Sequence, residues 1–369
     1  MKVLSLFDGM SCGRTALEKL GVNVERYYAS EVDKHAITVA QANWPDNVQL
    51  GNVTNWRNWD IDWSEIDLLI GGSPCQGFSY AGKQLAFDDP RSALFFEYVK
   101  ILNHIKQVNP DVKFMLENVK MKKDYLKIIS DMLGCEPVFI NSSLVSAQSR
   151  QRYYWANWDF IIPEDKGVKL IDILERDLPS CGLGARIVGR RLSASGKRDD
   201  YNKDIPIEQY MEVRFDEKSN CLTTVYKDSM VPLVETKDRL KVRFKSKCLR
   251  VGGRGSPLNS KQEWDSPFVK VDKKLKVKNN QTKASCLTGG AHSGGNHSDM
   301  DILVIEPNVC RRYSITECER LQTLPDGYTQ NKGVSNSQCY KMLGNGWTVD
   351  VIAHILEPLA ASVSRSKAA

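Results

Sequence analysis

The sequence predicts an α/β protein. A mainly parallel sheet with helices on both faces forms its main part, and a smaller loop-rich, β-containing domain interrupts it. Three observations predict this. Over residues 1–158 short apolar runs alternate with helical stretches, the βαβα rhythm of a parallel sheet. After about residue 160 the rhythm stops, and short β-like pieces rich in Gly, Ser, Lys and Arg run as far as residue 305. From Ile315 helical periodicity returns. The expected divisions are 1–159, 160–305 and 306–369, the last segment returning to the first domain.

Each element has its own signal. Val3–Phe7 is a continuous apolar run, as a buried parallel strand requires. A Gly/Ser turn leads into a helix from Gly13 to Leu20, closed by Gly21. Arg26–Val32 is the second strand, Lys34–Ala42 a helix ending near Pro45, Val48–Val53 the third strand and Ile66–Gly71 the fourth. Arg91–Gln107 is a long helix with apolar Leu94, Phe95, Val99 and Leu102. Phe114–Val119 is a strand and Asp124–Leu133 a helix closed by Gly134. Val138–Val145 and Arg152–Trp158 complete this part as strands. Thr348–Ala361 carries Val349, Ile352, Ile355 and Leu359 on one helical face.

A chain of 369 residues is long enough for one large domain and a smaller one. Its 41% hydrophobic and 26% charged residues are those of a soluble globular protein. No apolar run approaches a membrane span, and the N-terminus lacks a signal-peptide layout. Ten cysteines occur without CxxC pairs. They are expected to be reduced cytosolic thiols, with no metal site. The net charge of +6 is uneven: between Lys237 and Lys283, 15 Lys and Arg face 4 Asp and Glu. That excess suits a polyanion partner, although a solvated basic surface would look the same.

Three sheet edges carry candidate chemistry. The first strand runs into Phe7-Asp8-Gly9-Met10-Ser11-Cys12-Gly13, small residues that permit a sharp turn and close ligand approach. The pattern is not GxGxxG, so a dehydrogenase phosphate grip is disfavoured. The second strand ends in Glu31, where a carboxylate commonly accepts ribose hydroxyls. Together these suggest a nucleoside-containing cofactor without a pyrophosphate. The fourth strand leads into GGSPCQGFS, residues 71–79. Cys75 is there either a small filler or a nucleophile held into a cleft. Glu117 emerges beside it, and Gln148–Arg152 places Arg150 and Arg152 on one face of another strand.

Phe7–Gly13, Glu31-Val32-Asp33, Gly72-Ser73-Pro74-Cys75-Gln76, Glu117-Asn118-Val119, Gln148–Arg152, Glu317–Pro325 and Gly344-Asn345-Gly346 resemble, in order and spacing, the motif set of the cytosine-5 DNA methyltransferases. The resemblance covers residues 1–158 and 306–360. It implies a Rossmann-like catalytic domain, S-adenosylmethionine as cofactor, and methyl transfer to C5 of a cytosine flipped out of duplex DNA. By this resemblance Cys75, Glu117 and Arg152 are catalytic. Phe7, Gly9, Met10, Glu31, Val32, Asn52, Val53, Pro74, Leu94 and Asn345 would contact the cofactor. Gln76, Ser79, Lys83, Arg91 and Arg150 would contact DNA, and residues 160–305 would read its sequence.

The chain departs from the family pattern at Ser11 and Cys12, where glycine is frequent, and at Asn52, where bacterial members often carry an acid. Some stretches also resemble the animal de novo branch, such as Gly346-Trp347-Thr348-Val349. With no regulatory extension before residue 1, the chain resembles a free-standing bacterial or phage enzyme. It is expected to be a cytoplasmic monomer, with a cognate restriction endonuclease as a candidate partner acting separately. The competing readings are an RNA-directed relative, opposed by the absent Cys-Phe-Thr signature; a nucleotide-dependent oxidoreductase; and an inactive DNA-binding relative, opposed by the retained Cys75, Glu117 and Arg152.

Overall fold

A computed structural model describes residues 1–73, 93–178, 180–193, 195–224, 228–233, 240–243, 268–271 and 308–368. The chain divides into two compact units. The first comprises residues 1–175, 217–226 and 314–369, and the second residues 176–216 and 227–313.

The first unit holds a sheet of β1 (Lys2–Leu6), β2 (Arg26–Ser30), β3 (Val48–Gln49), β4 (Leu68–Gly71), β5 (Lys113–Val119), β6 (Val138–Asn141) and β7 (Gln151–Ala156). Their order is β3-β2-β1-β4-β5-β7-β6. The strands from β3 to β5 pair in parallel. β7 lies antiparallel between β5 and β6. The short connection from β6 to β7, residues 142–150, contains no crossover helix and therefore turns the chain back. The strand order reverses at β1 and β4, the place where open α/β sheets bind ligands beyond their carboxyl ends.

The helices of this unit are α1 (Cys12–Lys19), α2 (Lys34–Asn43), α3 (Ala93–Val108), α4 (Lys123–Leu133), a short α5 (Leu170–Ile173), α6 (Ile315–Leu321), α7 (Asn336–Asn345) and α8 (Val349–Ala368). Phe95, Tyr98, Ile101, Leu102 and Ile105 follow helical spacing on α3 and are buried with Leu4, Leu6, Leu69, Phe114 and Leu116 of the strands. Each such side chain contributes about 1.5–3 kcal/mol on burial. α1 packs against α8. Local chemistry sets the boundaries. Asp33 caps α2 by accepting the His35 N–H at 2.9 Å. Ser314 and Glu317 form a capping box at α6. Gly134 ends α4 with φ 74°.

Several sequence expectations shift, among them the strand expected over Val138–Val145, which stops at Asn141 before a 3-10 turn over Ser142–Leu144. Phe7 lies beyond β1, because its φ of 57° cannot continue a strand. The strand expected over Val48–Val53 stops at Gln49. Asn52 then accepts the Thr54 N–H and starts a 3-10 turn over Val53–Asn58. The expected divisions at 159/160 and 305/306 differ from the observed 175/176 and 313/314. Residues 160–175 pack on the first unit, where the Lys166 N–H donates to Leu144 O at 2.7 Å and Leu170 is fully buried.

In the second unit, β8 (Gly184–Arg190), β9 (Glu208–Arg214), β10 (Met230–Pro232), β11 (Leu240–Arg243), β12 (Phe268–Val271) and β13 (Asn308–Arg312) close into a barrel in the order β10-β13-β12-β11-β9-β8. All neighbours are antiparallel. Closure removes the exposed edges that short strands would otherwise present. Residues 217–226 leave this unit and return to the first, where Ser219 bridges Gln148.

Candidate active site

A cavity of about 360 Å³ opens at the carboxyl ends of β1, β2, β4 and β5. Its lining includes Phe7, Gly9, Met10, Glu31, Asp33, Gly72, Ser73, Glu117, Arg150, Arg152, Asn345 and Trp347. Chain topology brings these together from six separate stretches of sequence.

The turn after β1 forms the first wall. Phe7, Gly9 and Ser11 all take positive φ, at 57°, 61° and 63°. Gly9 has no heavy atom within 4 Å of where a Cβ would stand, so a ligand can approach its backbone. Asp8 is buried beneath the turn and accepts hydrogen bonds from Tyr27 Oη at 2.8 Å and Ser11 Oγ at 2.5 Å. Burial pushes its carboxyl up to about 6. Tyr328 Oη donates to Met10 O at 2.7 Å and clamps the same turn from below.

Glu31 forms the second wall. Its Oε2 accepts the Gly9 N–H at 2.8 Å, and its Oε1 accepts the N–H groups of Val32 and Asp33 at 2.7 and 2.8 Å. A carboxylate offers about four acceptor sites, so about one remains, on Oε2. Val32, the next residue, is 68% exposed. Asp33 pairs with Lys341 Nζ at 2.7 Å.

The third wall carries the candidate catalytic groups. Arg152 Nε meets Glu117 Oε1 at 2.8 Å. Trp347 Nε1 donates to Glu117 Oε2 at 3.0 Å. Glu117 is 8% exposed, so water competes little for either bond. Arg150 is buried more deeply. Its Nη1 donates to Leu222 O and Gly344 O, both at 3.2 Å, and lies 3.3 Å from Cys221 Sγ. Cys12 also lines the cavity, but burial pushes its thiol up to about 12, far from a reactive thiolate.

The amino-acid sequence matches the model of the C-5 cytosine-specific DNA methylases over residues 1–134 and 189–361. The chain belongs to that family. Methylases of this family use S-adenosylmethionine. Among relatives, the type II methyltransferase M.NgoBV of Neisseria gonorrhoeae is 32% identical over 207 residues, 49% of this chain and 48% of the relative. The chain thus spans about half the length of that relative. The type II methyltransferase M1.ScrFI of Lactococcus lactis subsp. cremoris is 27% identical over 99% of this chain and 79% of its own. Among solved structures, a Spodoptera frugiperda DNMT2 variant aligns at TM-score 0.54 and 19% identity, covering 96% of this chain and 98% of that one. At this identity the likeness is one of fold.

Of the expected site residues, Phe7, Gly9, Met10, Glu31, Asn345, Glu117, Arg150 and Arg152 line one cavity. Four expected cofactor contacts are not among its lining residues. Val32 is 68% exposed. Asn52 uses its side-chain oxygen to cap the Thr54 N–H, Val53 is 4% exposed in the core, and Leu94 packs against that core. Pro74, Cys75, Gln76, Ser79, Lys83 and Arg91 lie outside the described residues, as does most of the basic run 237–283. Sequence reasoning missed the contacts of Asp8, Trp347 and Lys341. Asp8 and Trp347 stand inside quoted motifs, whereas Lys341 has no sequence signal of its own.

Proposed function

We propose that the chain is a DNA cytosine-5 methyltransferase that modifies a cytosine taken out of duplex DNA. The observation that carries this reading is the Glu117–Arg152 pair facing one cavity with the Glu31 wall. An acid and a nucleoside-sized, partly acidic wall at one sheet edge suit a base beside a nucleoside cofactor.

The wall fits S-adenosylmethionine. Glu31 Oε2 has an acceptor site left for one ribose hydroxyl, Gly9 leaves its backbone open, and Phe7 and Met10 offer apolar surface. The bound cofactor supplies a methyl group on a sulfonium, an electrophile that C5 of cytosine can take only once the ring is activated. Cys75 provides that activation. Its thiolate adds to C6, forming an S–C6 bond and moving the C5=C6 electron pair onto C5. Glu117 accepts from the exocyclic amine and the protonated N3, stabilising the ring as charge develops. Arg152 fixes Glu117 and binds the base carbonyl. After C5 is methylated its proton would pass to water, the C–H electron pair re-forming the C5=C6 double bond as the Cys75 thiolate is expelled.

The second unit would read the target sequence, with the basic run supplying phosphate contacts. Gln76, Ser79, Lys83 and Arg91 would contact the strand around the flipped base. Buried Arg150 would reach only a base inside the cavity, not a surface phosphate. The enzyme would act as a cytoplasmic monomer of a bacterium or phage-infected cell, with any cognate endonuclease working separately. No described helix is long and apolar enough to cross a membrane.

Labelled S-adenosylmethionine offered with duplex DNA and with tRNA tests the reading. Label is expected in DNA at cytosine C5. Label in tRNA alone would overturn the DNA assignment.

A further inference from the structure

We infer that Trp347 is a positioning residue for the reaction, holding the Glu117 carboxylate in the plane that receives the base. The inference rests on the role of Glu117 proposed above.

Three observations converge. The first is the two-sided grip. Arg152 Nε holds Oε1 at 2.8 Å and Trp347 Nε1 holds Oε2 at 3.0 Å. The carboxylate cannot rotate about its last bond without breaking one of them. Each oxygen keeps a further acceptor site, which can serve a ring N–H and an amine N–H. Fixing a reacting group by two donors removes the reorganisation it would otherwise undergo when the base arrives.

The second observation is that the indole is itself held. A Cβ built on Gly72 would lie 2.9 Å from both Glu117 Oε2 and Trp347 Nε1. One built on Gly13 would lie 3.5 Å from Trp347 Cζ3. The space a side chain at Gly72 would need is filled by the Trp347–Glu117 pair.

The third observation is the anchoring of the flanking backbone. Arg150 Nη1 holds Gly344 O at 3.2 Å, and Gln322 Nε2 holds Leu343 O at 2.6 Å. Thr348 Oγ1 donates to Gln322 Oε1 at 3.0 Å. The segment between α7 and α8 is thus fixed on both sides of Trp347.

The test combines a spectroscopic and a kinetic arm. In protein labelled with 15N-indole tryptophan, the Trp347 N–H resonance is identified by its loss in Trp347→Phe. It should move upfield in Glu117→Gln, whose amide oxygen is a weaker acceptor. Trp347→Phe keeps an aromatic ring and loses the donor. It should lower kcat on duplex DNA about tenfold or more, as expected for a hydrogen bond to a charged group. KM for S-adenosylmethionine and the melting temperature should change little. If Trp347→Phe does not fold, the resonance is assigned as the one indole N–H that shifts in both Gly72→Ala, which crowds the same pair, and Glu117→Gln; Gly72→Ala should also lower kcat, and the lack of any such shared shift would overturn the inference. A resonance indifferent to Glu117→Gln, or full kcat in a folded Trp347→Phe, would overturn the inference. If the wild-type protein transfers no methyl group to any nucleic acid, the functional reading fails instead, and the resonance arm alone decides whether Trp347 holds Glu117.

Discussion

Glu31 and Gly9 are joined across the ends of β1 and β2, the carboxylate accepting the Gly9 N–H through Oε2 at 2.8 Å. One contact thereby shapes the turn and aims the carboxylate into the cavity. Glu31→Ala should weaken S-adenosylmethionine binding by about 1–3 kcal/mol, because it removes a hydroxyl acceptor and loosens the turn. DNA affinity should change little. Calorimetry that finds cofactor affinity unchanged would remove Glu31 from the cofactor site.

Asp8 predicts a pH dependence of stability. Burial raises its carboxyl from 3.8 to about 6 in the folded protein. A folded pKa above the unfolded one gives a stabilisation that is complete below the unfolded value and is lost as pH rises through the folded value. The window is therefore about pH 4 to 6, and the loss approaches about 3 kcal/mol. Asp8→Asn keeps one acceptor oxygen, replaces the other with an NH2 donor to which a neighbouring hydroxyl can turn its lone pair, and does not titrate. Its stability relative to wild type should climb across that window and level off above it, as read by urea denaturation at each pH. A flat difference would show that Asp8 is not buried as described.

Most of the fold was legible in the sequence because parallel strands buried on both faces read as continuous apolar runs, as in β1 and β4. The antiparallel insertion of β7 was not legible, since pairing direction depends on the connection and not on strand composition. Chemistry was legible where a motif sits at a strand end, as for Glu31 and Glu117. It was illegible where long-range bonds decide the role. Tyr328, Gln322 and Trp347 look like ordinary core or helix residues until the fold brings them to Met10, Leu343 and Glu117. Arg150 and Arg152 occupy alternate positions and share one cavity, but their partners separate them: one holds backbone carbonyls, the other a carboxylate.

The Arg152–Glu117 pair should tolerate little change. Side-chain exposures of 15% and 10% leave it poorly solvated, so Arg152→Ala strands a carboxylate. The expected cost is up to about 3 kcal/mol of stability. Methyl transfer should drop at least about a hundredfold, the scale for losing an electrostatic partner of the reacting group. Arg152→Lys restores charge without the fixed guanidinium plane and should recover only part of the rate. Steady-state kinetics with chemical denaturation separates the two effects, and wild-type rates in Arg152→Ala would exclude the pair from catalysis.

The proposed chemistry turns on Cys75 attacking C6 of a flipped cytosine. A duplex carrying 5-fluorocytosine at the target, incubated with protein and S-adenosylmethionine, tests this most directly, because fluorine cannot leave C5 as a proton does. A covalent protein–DNA adduct mapping by mass spectrometry to Cys75, and absent in a folded Cys75→Ser protein, is the expected result. An adduct at any other of the ten cysteines, or undiminished methylation by Cys75→Ser, would contradict it.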